Sequence, residues 1–236
     1  MPRLHLLRVF CGDDGSGGNP LAVFLDGGEI PDPAERQAVA ANLGLSETAF
    51  VDDAESGAIR IFTPVVELGF AGHPTVGTAW LLRRQRGPVP ALRPPAGEVA
   101  VRYDDERPFV TAHPEWAPAF EVERLESAAA VEALDGPPGG SDAVEVWAWL
   151  DEEAGLVRAR VFAAAYGIEE DEATGAAAVR LCARVGRAID IRQGLGSRIL
   201  ARPLGEMVEI GGAVELDDVR DHEPGSRPQA PPQSSV

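Results

Sequence analysis

The sequence predicts an α+β protein built from two similar halves. Three observations carry that reading. Short runs of alternating or apolar residues, separated by glycine- and proline-rich turns, read as strands along most of the chain. Two stretches about a hundred residues apart, G-H-P-T-V-G-T-A-W-L-L and D-E-A-T-G-A-A-A-V-R-L, each place a small-residue turn ahead of an apolar helix and behind a strand. The chain has 236 residues, 44% of them apolar, enough for one large domain or two of about a hundred residues with real cores. The two stretches are alike in organisation rather than identity, which suggests an internal duplication with the halves facing each other.

The elements follow in order. Residues 3–10 are apolar with a β-like end, D-D-G-S-G-G-N-P is a strong turn signal, and L-A-V-F-L reads as the second strand of a hairpin. Residues 31–43 carry Pro33 near a helix start, Val39 and Leu43 on one face, and Gly44 as the stop. S-E-T-A-F-V and A-I-R-I-F-T read as strands, and V-G-T-A-W-L-L-R-R is apolar nearly all round, as a buried helix would be. Beyond Gly87, G-E-V-A-V-R-Y and R-P-F-V-T-A-H read as edge-like strands because of Pro108 and Pro114. Residues 119–134 read as a helix, A-V-E-V-W-A-W-L with L-V-R-A-R-V-F-A as a hairpin, and A-A-A-V-R-L-C-A-R-V as the second buried helix. Strands finish the fold near Leu216. The expected division is an N-terminal lobe over 1–107, a C-terminal lobe over 108–220 whose last strand is free to return to the first, and a polar, proline-rich, disordered tail over 221–236.

Composition narrows the function. The formal charge of −17 argues against a nucleic-acid groove and against an anionic membrane surface. No lysine occurs, which removes Schiff-base, P-loop and pyridoxal-phosphate lysines. The N-terminus is too short and too charged for a signal peptide, and no apolar run approaches the length of a membrane span, so a soluble cytoplasmic protein is expected. Cys11 and Cys182 are too few for a disulfide framework and suit no zinc site. As one cysteine per half, they could be a racemase pair, but neither occupies a turn, and packing is the simpler role.

Helix starts expose unpaired amides and a partial positive charge, and small residues let a ligand reach them. Gly72-His73 and Gly175-Ala176 could each present such amides, and two sets opposed across a cleft would hold a carboxylate. Tight packing alone would explain the same glycines. Glu47, in G-L-S-E-T-A-F-V, is a solvated strand-edge residue or, if it faces the cleft, a buried acid raised toward neutrality and suited to moving a proton. His73 is a second proton carrier or a helix-start histidine bonded to a carbonyl. Asp171 is either a first-turn acid or part of the same site, and Asn19 in G-G-N-P either shapes a turn or reaches the substrate. Neither turn has the spacing of a nucleotide motif.

Taken together, R-V-F…G-N-P-L-A-V, L-G-L-S-E-T-A-F-V, R-I-F-T-P…E-L-G-F-A-G-H-P-T-V-G-T-A and E-D-E-A-T-G-A-A resemble the PhzF family, the phenazine-biosynthesis isomerases of the diaminopimelate epimerase-like fold. The likeness is dense over 8–82 and 167–182 and faint between. It implies two lobes, each a barrel-like mixed sheet around a central helix, with the active site between them. It also implies a cofactor-free isomerase, without metal, that moves a proton within a small carboxylated, amino-acid-like or dihydroanthranilate-like substrate, and a homodimer. The family's catalytic glutamate falls on Glu47, its histidine on His73 and its aspartate on Asp171. The carboxylate-binding amides fall at Gly72, His73, Gly175 and Ala176, with Asn19 as a further substrate contact. Two departures stand out. Ala176 occupies the position of the family's serine, so only its amide remains, and the chain is short where the second lobe begins. Both leave room for a protein that binds a carboxylate without turning it over. Racemases of this fold carry cysteines at the two turns, where this chain has His73 and Ala176.

Overall fold

The computed structural model describes residues 1–222. Six strands form one mixed sheet: β1 (Arg3–Cys11), β2 (Asn19–Phe24), β3 (Glu47–Asp53), β4 (Ala58–Phe62), β5 (Glu67–Leu68) and, from the far end of the chain, β16 (Ala213–Asp221). Their order is β16-β1-β2-β3-β4-β5. Strands β2 and β3 run parallel, and helix α1 (Pro33–Leu43) makes the crossover between them. Asp32 caps α1 by accepting from the Ala34 amide, and Gly44 ends it in a left-handed conformation at φ 65°. Val39, Ala40 and Leu43 of α1 pack on Leu4, Ala22, Phe24, Phe50 and Phe62, which covers the outer face of this sheet.

The second sheet has ten strands. Nine of them follow the order β6 (Ala91–Leu92), β7 (Val99–Asp104), β8 (Arg107–Ala112), β15 (Met207–Gly211), β14 (Ser197–Leu204), β13 (Ile189–Gln193), β11 (Leu156–Ala163), β10 (Val144–Asp151) and β9 (Glu121–Arg124). The tenth, β12 (Ile168–Asp171), pairs with β11 off that path. Helices α2 (Gly72–Arg86) and α4 (Gly175–Val185) lie inside, and a short α3 (Ala128–Glu132) packs outside on β10 and β11. Leu7, Val9, Val76, Leu81, Val110, Val179, Leu181, Ile199 and Ile210 share one apolar core, so the inner faces of both sheets and both inner helices are buried together.

Four expectations need correction. Residues 121–124 are strand, not helix: E-V-E-R pairs in parallel with β10, and the helix begins only after Ser127, whose hydroxyl accepts from the Ala130 amide. Strand β8 is internal rather than an edge. Pro108 opposes Tyr103 of β7, and pairing with β15 starts one residue later at Phe109, so the missing N–H breaks no bond in that ladder. Strands β6 and β7, placed by sequence before the division at 107/108, pair within the ten-stranded sheet. The last strand continues past Leu216 to Asp221, which opposes Arg3, so 221 and 222 are not tail: the His222 amide bonds the Pro2 carbonyl and its buried ring meets Phe24 edge-on. The remainder of the expected tail, 223–236, lies outside the described residues. Among the described residues no helix is long and apolar enough to cross a membrane.

Candidate active site

Each half contributes a helix start. Ala71 precedes α2 and Thr174 precedes α4 in non-helical conformations, and neither helix has a side-chain cap on its first amides. The two tips touch. A Cβ added to Gly72 would lie 2.7 Å from both Cα and C of Gly175, and one added to Gly175 would lie 2.9 Å from Cα of Gly72. Glycine is required at both positions by this approach of one backbone to the other. Ile210 of β15 closes the apolar side beside Gly72.

The three proton-bearing residues singled out by sequence converge here. Glu47 opens β3 and is 8% exposed, His73 in the first turn of α2 is 2% exposed, and Asp171 at the end of β12 is 5% exposed. Glu47 Oε2 lies 3.3 Å from His73 Nε2, yet neither atom has a properly directed hydrogen bond. The contact is not an ion pair, because burial keeps both groups neutral. Burial lowers His73 to about 3, against a hydrogen bond to the Pro20 carbonyl that works the other way. Glu47 is pushed up to about 8 by burial and then by the charge of Asp171, with Ser46 opposing.

Asp171 is raised too, chiefly by burial, but its surroundings favour the carboxylate. Its Oδ1 accepts from Asn19 Nδ2 at 2.7 Å and its Oδ2 from the Thr174 hydroxyl at 2.6 Å. The Asp171 charge disfavours a second carboxylate nearby, and the donors around Asp171 leave the proton on Glu47. Asn19 is itself fixed. It also donates to the Ala173 carbonyl at 2.8 Å and accepts from Ser46 Oγ at 2.8 Å, so it ties the first sheet to the second at the site.

Sequence reasoning did not find the frame that holds Asp171. Gln193 Nε2 donates to the Asp171 carbonyl at 2.7 Å and to Thr174 Oγ1 at 3.0 Å, while its Oε1 accepts from the Thr174 amide. Ser197 Oγ accepts from the Gly18 amide and donates to Glu172. Thr174 and Ser46 lay inside the motifs already marked. Gln193 and Ser197 carried no local signal, since their partners are set by strand pairing. Cys11 and Cys182 are buried away from both turns, and burial raises them to about 11 and about 12, which keeps both as thiols.

The chain is similar to known proteins over most of its length. The profile of a family described as phenazine biosynthesis-like protein, PhzC-PhzF, matches residues 8–136. The chain is 34% identical to the trans-2,3-dihydro-3-hydroxyanthranilate isomerase of Pseudomonas aeruginosa, across 84% of this chain and 81% of that protein. It is also 34% identical to the protein of the same name from Pseudomonas fluorescens over 145 residues, a match spanning 60% of this chain and 43% of that one. A solved structure described as a predicted epimerase from Pseudomonas aeruginosa superposes with a TM-score of 0.71 at 26% identity, over 94% of this chain and 99% of the other.

Proposed function

Since the chain belongs to the PhzC-PhzF family of phenazine biosynthesis-like proteins, we propose that it is a cofactor-independent isomerase that moves a proton within a small carboxylate-bearing substrate. The observation that carries this is a buried, neutral Glu47 within 3.3 Å of a buried, neutral imidazole, at the meeting point of two uncapped helix starts. The amides at Gly72, His73, Gly175 and Ala176 would bind the substrate carboxylate and stabilise charge that develops beside it. A glutamate poised near neutral pH serves as base and as acid, taking a proton from one carbon and returning it to another. His73, held neutral, would orient the substrate or relay that proton, and Asp171 would hold Asn19 and the α4 start in place while its charge keeps a proton on Glu47.

The relatives named above suggest trans-2,3-dihydro-3-hydroxyanthranilate as the first substrate to try. Proton NMR in deuterated buffer should show protein-dependent isomerisation with exchange of a carbon-bound proton. Glu47→Gln should abolish both while the carboxylate still binds. Exchange at an unchanged rate in Glu47→Gln would remove Glu47 from the mechanism. Turnover of no carboxylate by the wild type, with binding intact, would favour the second reading: a family member that binds a small carboxylated metabolite and has lost the chemistry, for which Ala176 in place of a hydroxyl is the support. The assembly expected from the family likeness is a homodimer, in the cytoplasm, and sedimentation of the intact chain tests the former.

A further inference from the structure

A second cluster of chemistry lies on the outer face of the ten-stranded sheet, away from Glu47, His73 and Asp171. Glu209 of β15 is 3% exposed, and two arginines hold it. Arg102 of β7 donates from Nε and Nη2 to the two carboxylate oxygens at 3.0 Å each, and Arg202 of β14 donates from Nε at 2.7 Å. Burial alone would raise this carboxyl, yet the two guanidiniums hold it below the ordinary glutamate value.

The register explains why they meet. Arg202 and Glu209 are directly opposed across β14 and β15, and Arg102 sits one row along, opposite Phe109. Gly211 is next in that second row, followed by Leu200 and Asp190. A Cβ at Gly211 would overlap the Phe109 ring, so the glycine lets the ring lie flat, with the Arg102 guanidinium 4.4 Å above its centroid. A cavity of about 300 Å³ opens beside this arrangement, lined by Arg102, Arg202, Glu209 and Asp190 and, on its apolar side, by Leu200 and the edge of Phe109. That volume is at the lower end of the roughly 300–1,000 Å³ of small-molecule sites.

The charge is out of balance for so acidic a chain. Asp190 is held by Arg192 and Arg198, and Asp13 by Arg198 and Arg107. With Asp104 beside Arg102, five arginines here face four carboxylates, on a protein of net charge −17. Among the described residues the pairing also leaves donors free. Arg102 Nη1 and both Nη atoms of Arg202 take no part in the contacts to Glu209. Unused planar guanidinium edges beside an apolar floor suit a carboxylate carried on a small flat apolar body.

We propose that this outer-face cavity is a second binding site, for a small aromatic carboxylate, which the Arg202 guanidinium receives with help from Arg102 while the ring rests on Leu200, beside the Arg102-covered Phe109. Glu209 serves as the fixed anchor that aims both arginines. The site requires no chemistry of the cleft and stands whether or not the chain is an isomerase.

The test is residue-resolved. Titrating 4-fluorobenzoate into the 15N-labelled full-length protein should shift the backbone amides of Arg102, Arg202 and Glu209 saturably, with a Kd on the order of 1 mM. Arg202→Gln leaves the bidentate Arg102–Glu209 pair intact, so the fold is kept, and should weaken that titration roughly tenfold. Leu200→Ala, which removes floor rather than charge, should weaken it less. Shifts confined to the amides around Gly72 and Gly175, or shifts at Arg202 and Glu209 that Arg202→Gln leaves unchanged, would overturn the proposal. Absence of any saturable shift at these three amides would do the same.

Discussion

Adding one methyl group at Gly72 tests the apposition of the two helix starts directly. In Gly72→Ala the new Cβ would lie 2.7 Å from Cα and C of Gly175 and 2.8 Å from Ile210 Cδ1, where ordinary contact begins at 3.4 Å. Ile210 can turn its terminal methyl aside. The Gly175 backbone cannot, because Thr174 beside it is fixed by Gln193 and Asp171. The tips of α2 and α4 must therefore separate by ~0.7 Å, the difference between those two distances. Overpacking of this kind costs about 1–3 kcal/mol. For a chain of this size that lowers Tm by roughly 5 °C.

The effect on function should exceed the effect on stability. A carboxylate gripped by both tips loses contact with one of them when they part, and a misplacement near 1 Å costs up to about 100-fold in rate. The assay pairs thermal unfolding with isomerisation or proton exchange of the candidate substrate. Gly69→Ala is the control, because its Cβ would meet Ala96 Cβ at an ordinary 3.7 Å. A Gly72→Ala protein with wild-type Tm and wild-type turnover would show that the tips are not held together as described and that the carboxylate cradle is misassigned.

Two further predictions follow from buried acids. If abstraction begins the reaction, kcat at saturating substrate should rise with pH as Glu47 loses its proton, with a midpoint no lower than about 8, and should not fall off with protonation of His73 above pH 4, since that ring is held neutral down to about 3; a flat profile between pH 6 and 9 would contradict this. Glu145 on β10, 1% exposed and with Oε2 unpartnered, is raised from 4.5 to about 8 by burial, against the pull of Arg180. Unfolding releases its proton throughout that window, so its contribution to stability falls as pH rises from 4.5 through 8, by up to about 5 kcal/mol in all. Glu145→Gln should remove that slope, so that the variant gains on the wild type between pH 5 and 9 in urea unfolding; parallel curves would mean that Glu145 is not the buried acid described.

What the sequence made legible was whatever lies within one element and its turn. The start of α1 at Pro33, its stop at Gly44, the buried helices and the glycine turns ahead of them all follow from neighbours a few residues apart. The candidate acids were legible because each sits beside such a turn, although nothing local distinguished a buried Glu47 from a solvated one. What stayed hidden depends on strand order. Residues 121–124 have a helix-compatible composition and become strand only because β10 offers a parallel edge. Glu209 looks like any surface glutamate until β7 and β14 bring Arg102 and Arg202 to it from 107 residues before and 7 residues before. Gln193 supports Asp171 across 22 residues, and Asn19 reaches it across 152. No periodicity records such pairings.

The distribution of charge explains why the site takes this form. The chain carries a large negative charge and no lysine, and most of its arginines pair with carboxylates over the outer surface, as at Arg60–Glu67, Arg93–Glu98 and Arg160–Glu170. Among the described residues, the titratable groups at the meeting of α2 and α4 are Glu47, Asp171, the neighbouring Glu172 and a neutral imidazole, with no cationic side chain among them. An incoming carboxylate would meet two like charges there if both acids were ionised. Burial prevents that by leaving a proton on Glu47, so of the two only Asp171 stays charged, and its charge is screened by the Asn19 and Thr174 donors. The helix amides then supply the attraction, since their partial positive charge is fixed by the backbone and cannot be neutralised by titration. The same burial that makes the anion site workable thus makes Glu47 a proton carrier near neutral pH, and neither property could be removed without the other.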